Sequence, residues 1–240
     1  LPVKPRLFFE SKIVRSRISL ENPIMKTKLS ILALSLLLLL FVGCDWRGVR
    51  GNGKLKTESR PVTTFTRIEA GGFYDIQWQP GPPSLSVKTD ENLLPNIETK
   101  VSGNVLKIGI QGQIAPTHGI TIVLRSESLG GADLSGALKL EATGLSGDRF
   151  TLETRGATKV TLAGQATRLV ASLTGASKLS ADSLQTEEVE ISVTGAGKAG
   201  VNVTKSLKAA ITGAGRVTYS GNPPVVQKNV TGAGKISPRD

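Results

Sequence analysis

Residues 194–198 read Thr-Gly-Ala-Gly-Lys, and five related pentapeptides occur in the second half of the chain. They begin at positions 135, 155, 174, 212 and 231. Their glycines are spaced 20, 19, 20, 18 and 19 residues apart: Gly136, Gly156, Gly175, Gly195, Gly213 and Gly232. A short and nearly constant period indicates stacked units that complete one another's core. We expect each glycine to form a corner with a tight bend or a positive φ.

Apolar residues alternate on both sides of each glycine, as expected for strands. Two residues before the glycines stand Leu134, Thr154, Leu173, Val193, Ile211 and Val230. Mainly aliphatic residues also stand four before, four after and six after, and only Lys228 and Pro238, near the end, break these columns. The pattern predicts an all-β fold, a parallel β-helix or β-solenoid with coils of about 19 residues stacked ~4.8 Å apart.

The region before the repeats is also β-rich but not periodic. Short alternating segments recur between Val62 and Leu124, separated by turn signals such as Gly71-Gly72. Only Glu91–Leu94 suggests a helical turn. We therefore divide the folded part into a β-rich region over 57–125, which continues or caps the solenoid, and the repeats over 126–240.

The first 43 residues have the features of an export signal. Met25 is the only methionine, and two lysines and an apolar run over 29–42 follow it. Residues 1–24 are then an upstream extension that results from a wrong start, with a long, genuine n-region as the alternative, and 25–43 is a lipoprotein signal peptide. The apolar run has 14 residues, whereas a spanning helix needs ~20.

Cys44 is the only cysteine and ends a segment that resembles the lipobox of bacterial lipoproteins. A single cysteine excludes a disulfide framework, so we expect Cys44 to be lipidated and to anchor the protein. Residues 44–56 are then a lipidated tether, and the protein is exported to the bacterial cell envelope, on its periplasmic face or outer surface. Within this segment Gly48–Lys54 imitates a phosphate-binding loop, but Leu55 stands where Ser or Thr is needed.

The net charge of +11 falls when the extension and the signal are removed. The extension carries a net +3 and the signal +2, which leaves +6 on the mature chain. This moderate charge does not indicate a nucleic-acid partner.

A column of basic residues is the strongest candidate binding site. Three residues after each corner glycine stand Lys139, Lys159, Lys178, Lys198, Arg216 and Lys235. Their odd spacing from the glycine predicts an exposed column along one edge of the solenoid. Neighbouring charges ~5 Å apart repel by about 0.8 kcal/mol in water, which a polyanion would relieve. The alternative is a solvated face that resists aggregation.

Catalytic and metal sites are not indicated. We expect Asp133, Asp148, Glu153 and Asp182 to share no column, whereas polysaccharide-cleaving enzymes cluster such groups. His118 is the only histidine, and the repeat lacks the aspartate of calcium-binding repeats. Trp78 is predicted to belong to the core, with a sugar-stacking platform as the alternative. We expect no cofactor and no metal.

The order of these features resembles the family described as Putative auto-transporter adhesin, head GIN domain, over about Gly51 to Lys235. The resemblance rests on Phe65-Thr66-Arg67-Ile68, Asp75-Ile76-Gln77, Glu91-Asn92-Leu93-Leu94, the Gly-Ala corners and Tyr219-Ser220-Gly221-Asn222-Pro223. It implies an exported all-β protein of β-helix type, frequently lipidated and without an established activity. Leu138, Thr158 and Ser177 depart from the Thr-Gly-Ala-Gly form, so we expect the early corners to bend differently.

We therefore expect a non-enzymatic exported lipoprotein that presents a rigid surface, with an adhesin-like or envelope-scaffolding role. Its partners are the membrane, through the lipid anchor, and a cell-surface polysaccharide or another polyanion. The main alternative is a module that binds lipopolysaccharide or acidic polysaccharide through the basic column. A third alternative, from another class, is a carbohydrate-active enzyme.

Overall fold

The computed structural model describes residues 48–239, and nearly all of its regular structure is β. The strands are β1 (Val49–Arg50), β2 (Leu55–Arg60), β3 (Arg67–Gly72), β4 (Asp75–Pro80), β5 (Ser84–Asp90), β6 (Ile97–Ser102), β7 (Val105–Ile110), β8 (Ile114–Ala115), β9 (Thr121–Ser126), β10 (Gly131–Gly136), β11 (Lys139–Leu145), β12 (Arg149–Gly156), β13 (Lys159–Gly175), β14 (Lys178–Gly195), β15 (Lys198–Gly213), β16 (Arg216–Ser220), β17 (Val225–Thr231) and β18 (Lys235–Pro238). A 3-10 helix, Glu91–Asn96, follows β5 where the sequence predicts a helical turn. The predicted extension, signal peptide and Cys44 lie outside the described residues.

The solenoid consists of two parallel strand ladders that meet at the glycine corners. In spatial order the first ladder contains β7, β3, β10, β12, the second halves of β13, β14 and β15, and then β17. The second ladder contains β9, β4, β11, the first halves of β13, β14 and β15, then β16 and β18. Each coil thus has two sides, which β13, β14 and β15 each supply as one continuous strand, and the predicted parallel β-solenoid is confirmed.

The corner glycines stack directly on one another because nothing larger fits. Gly195 has a φ of 108°, and the next residue, Ala196, donates its N–H to the carbonyl oxygen of Gly175 in the preceding coil at 3.0 Å. A Cβ added to Gly195 would lie 2.8 Å from that same oxygen. Both the positive φ and the close approach of two backbones therefore require glycine here.

The early corners bend in the same way as the late ones, so the expectation that they differ is wrong. The φ angle is 111° at Gly136 and 108° at Gly156, against 108° at Gly195 and 115° at Gly213. The departing residues stand two positions after the glycine, where Leu138, Thr158 and Ser177 are buried. Side chains at this position point into the core, and they leave the backbone of the corner unchanged.

The predicted inward columns form the core. Leu152, Val160, Leu162, Val193 and Val201 are fully buried. In the last coil the columns open to solvent, with Val230 40% exposed. The alternation of strand residues therefore predicted the inside of the solenoid correctly.

The columns continue into the region before the repeats. Ile68 pairs with Ala132, and Trp78 pairs with Ala142. The Trp78 side chain is 1% exposed, and its Nε1 donates to Ser126 Oγ at 2.9 Å. The predicted core position of Trp78 is therefore confirmed, and a sugar-stacking role is excluded by burial.

The region over 57–125 both continues and caps the solenoid. The coil of β3 and β4 lies between the coil of β7 and β9 and the coil of β10 and β11, although it comes first in the sequence. Strands β5 and β6 add to β9 and β7 in antiparallel direction, and β2 adds to β5. These antiparallel strands cover the edges that the first coil would otherwise expose.

Residues 48–56 are part of the folded unit and not a free tether as predicted for 44–56. Strand β1 pairs with β8, and β2 already begins at Leu55. Gly53 N–H donates to the buried Asp90 carboxylate at 2.7 Å, and Thr117 donates to the same carboxylate through its N–H and its hydroxyl. The anion that contacts this glycine-rich loop is thus the Asp90 carboxylate of the protein itself. The loop binds this side chain, although its sequence imitates a phosphate-binding loop.

Candidate functional site

The strand register places the basic residues of the repeats side by side. Lys139, Lys159, Lys178, Lys198, Arg216 and Lys235 are consecutive partners in the second ladder. Each backbone N–H at this position is fixed, for example by the bond from Lys198 N to Ser177 O at 2.8 Å. The six side chains form a straight basic ladder with one cation per coil, about 4.8 Å apart.

The first cation of the ladder is neutralised and the other five are not. Lys139 Nζ lies 3.2 Å from Asp75 Oδ2 and 3.8 Å from Glu141 Oε2. Within residues 48–239, no acidic group lies within 4.0 Å of Lys159, Lys178, Lys198, Arg216 or Lys235. We call these five residues the free ladder.

Sequence reasoning missed the partner of Lys139. Asp75 stands three residues after Gly72, which stacks below Gly136 as a further corner. The available signal was the segment Ile68–Gly72, which repeats the apolar spacing before Gly136. It was obscured because the two corners are 64 positions apart, and the chain between them forms seven strands, β4 to β10, that break the period.

Small residues flank the free ladder on both sides. On the corner side lie exposed alanines: Ala157, Ala176, Ala196, Ala214 and Ala233. Two residues after each cation lie Thr161, Ser180, Gly200, Thr218 and Ser237. The cations are exposed and are the longest side chains of this strip, except near Gly200, which the Asp182 carboxylate, bound by Arg239, covers.

Several cations on the other side of the solenoid are paired with acids. Lys205 contacts Glu187 at 2.7 Å, and Lys208 contacts Glu190 at 3.0 Å. Hydrogen bonds and charge from Lys208 and Arg168 lower the pKa of Glu190, so this pairing is also visible in its electrostatics. The free ladder thus differs from these paired cations: its five members are consecutive register partners, and none has an acidic group within 4.0 Å among the described residues.

Residues 64–223 match the family model described as Putative auto-transporter adhesin, head GIN domain. The chain belongs to this family. The match begins within the β-rich region over 57–125, includes most of the repeats and ends before the last corner glycine, Gly232. No curated protein matches the chain in sequence.

Solved structures share the fold of this head GIN domain. A putative adhesin from Bacteroides fragilis has a TM-score of 0.67 at 23% identity, covering 80% of this chain and 100% of its own. A putative adhesin from Parabacteroides distasonis has 0.54 at 22% identity, with the same coverage. A putative lipid binding protein from the same species has 0.51 at 19% identity, covering 81% and 100%. The family and these neighbours are described as adhesins or a binding protein, not as enzymes.

The carboxylates of the head GIN domain are closer than predicted. Asp133 and Glu153 are direct register partners, so the expectation that they share no column is wrong. Both stand three residues before a corner glycine, so the counting that located the cations would also have placed these two carboxylates in one column. Arg155 binds both carboxylates, at 2.8 and 2.9 Å, and is itself 57% exposed. The pair is engaged in a surface ion network.

His118 lies beside a threonine that is hydrogen-bonded to an aspartate. His118 is exposed, and its Nδ1 lies 2.8 Å from Thr117 Oγ1, whose hydroxyl donates to Asp90. The Thr117 hydroxyl thus donates to the Asp90 carboxylate and not to the His118 imidazole. Within residues 48–239 no three His, Cys, Asp or Glu side chains are close enough to share a metal ion. The same range contains no helix of the length and apolarity that crossing a bilayer requires.

Proposed function

We propose that this protein is an exported, lipid-anchored, non-catalytic protein whose head GIN domain presents a rigid surface in the bacterial cell envelope, in an adhesin-like or scaffolding role. The observation that supports this proposal is the parallel stacking of the coils, in which the corner glycines pair directly with one another from Gly136 to Gly213. Fixed strand spacing and a filled core hold the outward side chains at regular intervals. The signal over 25–43 and Cys44 supply export and anchoring.

The anchor is tested by expressing the wild type and Cys44→Ser in a bacterium with its own lipoprotein machinery. Intact-mass analysis should find the wild type beginning at an acylated Cys44 and located in the membrane fraction. Cys44→Ser should carry no acyl mass and should not begin at residue 44, because it lacks the thiol that is acylated before the signal is removed. A wild-type chain that is mature but unmodified would overturn the lipoprotein assignment.

A second function, binding of a polyanion or acidic glycan, is favoured by the free ladder. Five adjacent cations without acidic partners repel one another, and a chain of negative charges along the ladder removes that repulsion. The contrast with the paired lysines on the other side of the solenoid supports a specific role for this strip.

The test compares two triple variants with the same change in net charge on a heparin column. Lys159→Gln, Lys178→Gln and Lys198→Gln interrupt the free ladder, whereas the control variant changes the acid-paired Lys107, Lys205 and Lys208 to Gln. The ladder variant should elute at clearly lower salt, and the control should elute close to the wild type. Equal losses would mean that net charge alone causes retention and would overturn this second function.

The non-catalytic part of the proposal is tested separately. The wild type is incubated with a panel of acidic and neutral polysaccharides, and new chain ends are measured. We expect none, since the candidate carboxylates Asp133 and Glu153 are bound by Arg155. Turnover that Glu153→Gln abolishes would replace the proposal by a carbohydrate-active enzyme.

A further inference from the structure

We infer that the free ladder accepts a straight acidic polysaccharide with one carboxylate on each sugar, about five sugars long. This inference rests on the polyanion-binding function proposed above and specifies the ligand's charge spacing, shape and length. It uses three features of the described residues: the interval between cations, the flatness of the strip and the place where the ladder stops.

The interval between cations determines the charge spacing of the ligand. Successive cations belong to adjacent hydrogen-bonded strands, so they repeat every ~4.8 Å along a line. A 1,4-linked uronate chain advances by a similar distance per sugar and carries one carboxylate on each. Its carboxylates alternate between the two edges of the chain, and the long, flexible lysine side chains can reach either edge. Duplex nucleic acid fits poorly, because its phosphates follow a helical path that leaves a straight row of cations after a few contacts.

The flatness of the strip determines the shape of the ligand. The alanines beside the cations project little, and the residues on the other side include the hydroxyls of Thr161, Ser180, Thr218 and Ser237. A ribbon-like sugar chain can therefore lie along the strip with its carboxylates within reach of the cations and its ring hydroxyls near these side chains. No aromatic residue stands in either flanking row from Ala157 to Ser237, so binding should depend on charge and not on ring stacking.

The ladder stops at its amino-terminal end because of acidic neighbours. Asp75 and Glu141 surround Lys139 and would repel a carboxylate there. In the same coil as Asp75, Phe73 takes the place of the small flanking alanine and is 37% exposed. Counted from Lys159 to Lys235, the free ladder spans about 19 Å, which corresponds to five rungs.

The experiment measures the affinity of the mature chain for oligogalacturonates of one to ten sugars at low salt. Exposed ion pairs are weak, so each added sugar should tighten binding about two- to threefold. The gain should flatten beyond about five sugars. Methyl esterification, which removes carboxylates but keeps the backbone, should weaken binding of the pentamer at least tenfold.

A gain-of-function variant tests the assigned end of the ladder. Asp75→Asn with Glu141→Gln frees Lys139 from both carboxylates and should move the plateau by one sugar, from about five to about six. The control Asp133→Asn with Glu153→Gln makes the same charge change on the first ladder and should leave the plateau unchanged.

The outcomes separate the two levels of the proposal. If neither oligogalacturonates nor heparin bind at low salt, the polyanion-binding function itself is wrong. If heparin binds through the free ladder but oligogalacturonates show no plateau or no sensitivity to esterification, polyanion binding stands and the inference on spacing and length is refuted. A plateau that does not move in the Asp75 and Glu141 variant refutes the assigned boundary.

Discussion

Replacement of Gly195 by alanine should destabilise the solenoid by about 3 kcal/mol. A φ of 108° lies in a region that costs a residue with a Cβ ~1–3 kcal/mol. The new Cβ would lie 2.8 Å from Gly175 O, and that oxygen accepts the 3.0 Å hydrogen bond from Ala196 N–H. Separating the two coils to relieve this contact weakens a hydrogen bond worth ~1 kcal/mol.

Urea unfolding followed by circular dichroism measures this effect. With a slope of about 3 kcal/mol per molar urea, 3 kcal/mol lowers the midpoint by about 1 M. The matched control is Gly147→Ala in the exposed bend between β11 and β12. A Cβ there meets no atom within 4 Å, and its φ is not positive.

The control should keep the wild-type midpoint or raise it slightly, because alanine restricts the unfolded chain more than glycine does. Equal midpoints for Gly195→Ala and Gly147→Ala would refute the reasoning. It would mean that the corner can relax without cost and that backbone stacking of the glycines does not hold the coils together.

Three further changes address other parts of the fold. Burial tends to raise the pKa of Asp90, but the hydrogen bonds from Thr117 and Gly53 lower it below its ordinary value of 3.8. The ionised carboxylate therefore stabilises the folded protein above pH 3.8. This stabilisation is lost as the pH falls through the lower pKa of the folded state. Asp90→Asn should cost about 2 kcal/mol at neutral pH, and its difference from the wild type in urea midpoint should narrow below pH 3.8; a constant difference down to pH 2 would contradict this account. Tyr74→Phe should raise the free energy of unfolding by about 1 kcal/mol in the same urea assay, because the buried Tyr74 hydroxyl has no hydrogen-bond partner among the described residues, and burial also raises its pKa. A loss of stability would reveal a partner, such as water. Lys228→Val should increase self-association measured by light scattering, because Lys228 places a charge in the apolar column of the last coil, beside Ala209, and so prevents another chain from pairing with this exposed edge. Lys205→Val is the control. Equal association of both variants would contradict this role of Lys228.

The repeat determined most of the solenoid from sequence alone. Glycines about 19 residues apart, with alternating apolar residues around them, can bury those residues only by stacking as strands. The inward columns and the outward column of cations followed from counting positions relative to a corner, and the core position of Trp78 followed from alternation along its strand. Local rules were sufficient because each coil repeats the same contacts with its neighbours.

Only the tertiary structure decided what lies next to the repeats. The coil of β3 and β4 is inserted between two coils that come later in the chain, and this brings Asp75 beside Lys139. The antiparallel pairing of β2 with β5 brings Gly53 to the buried Asp90 and makes residues 48–56 part of the fold. These contacts join residues far apart in the chain without a shared period. Sequence periodicity specifies which residues repeat, but the pairing of non-repeating strands depends on packing and hydrogen bonds that only the folded chain contains.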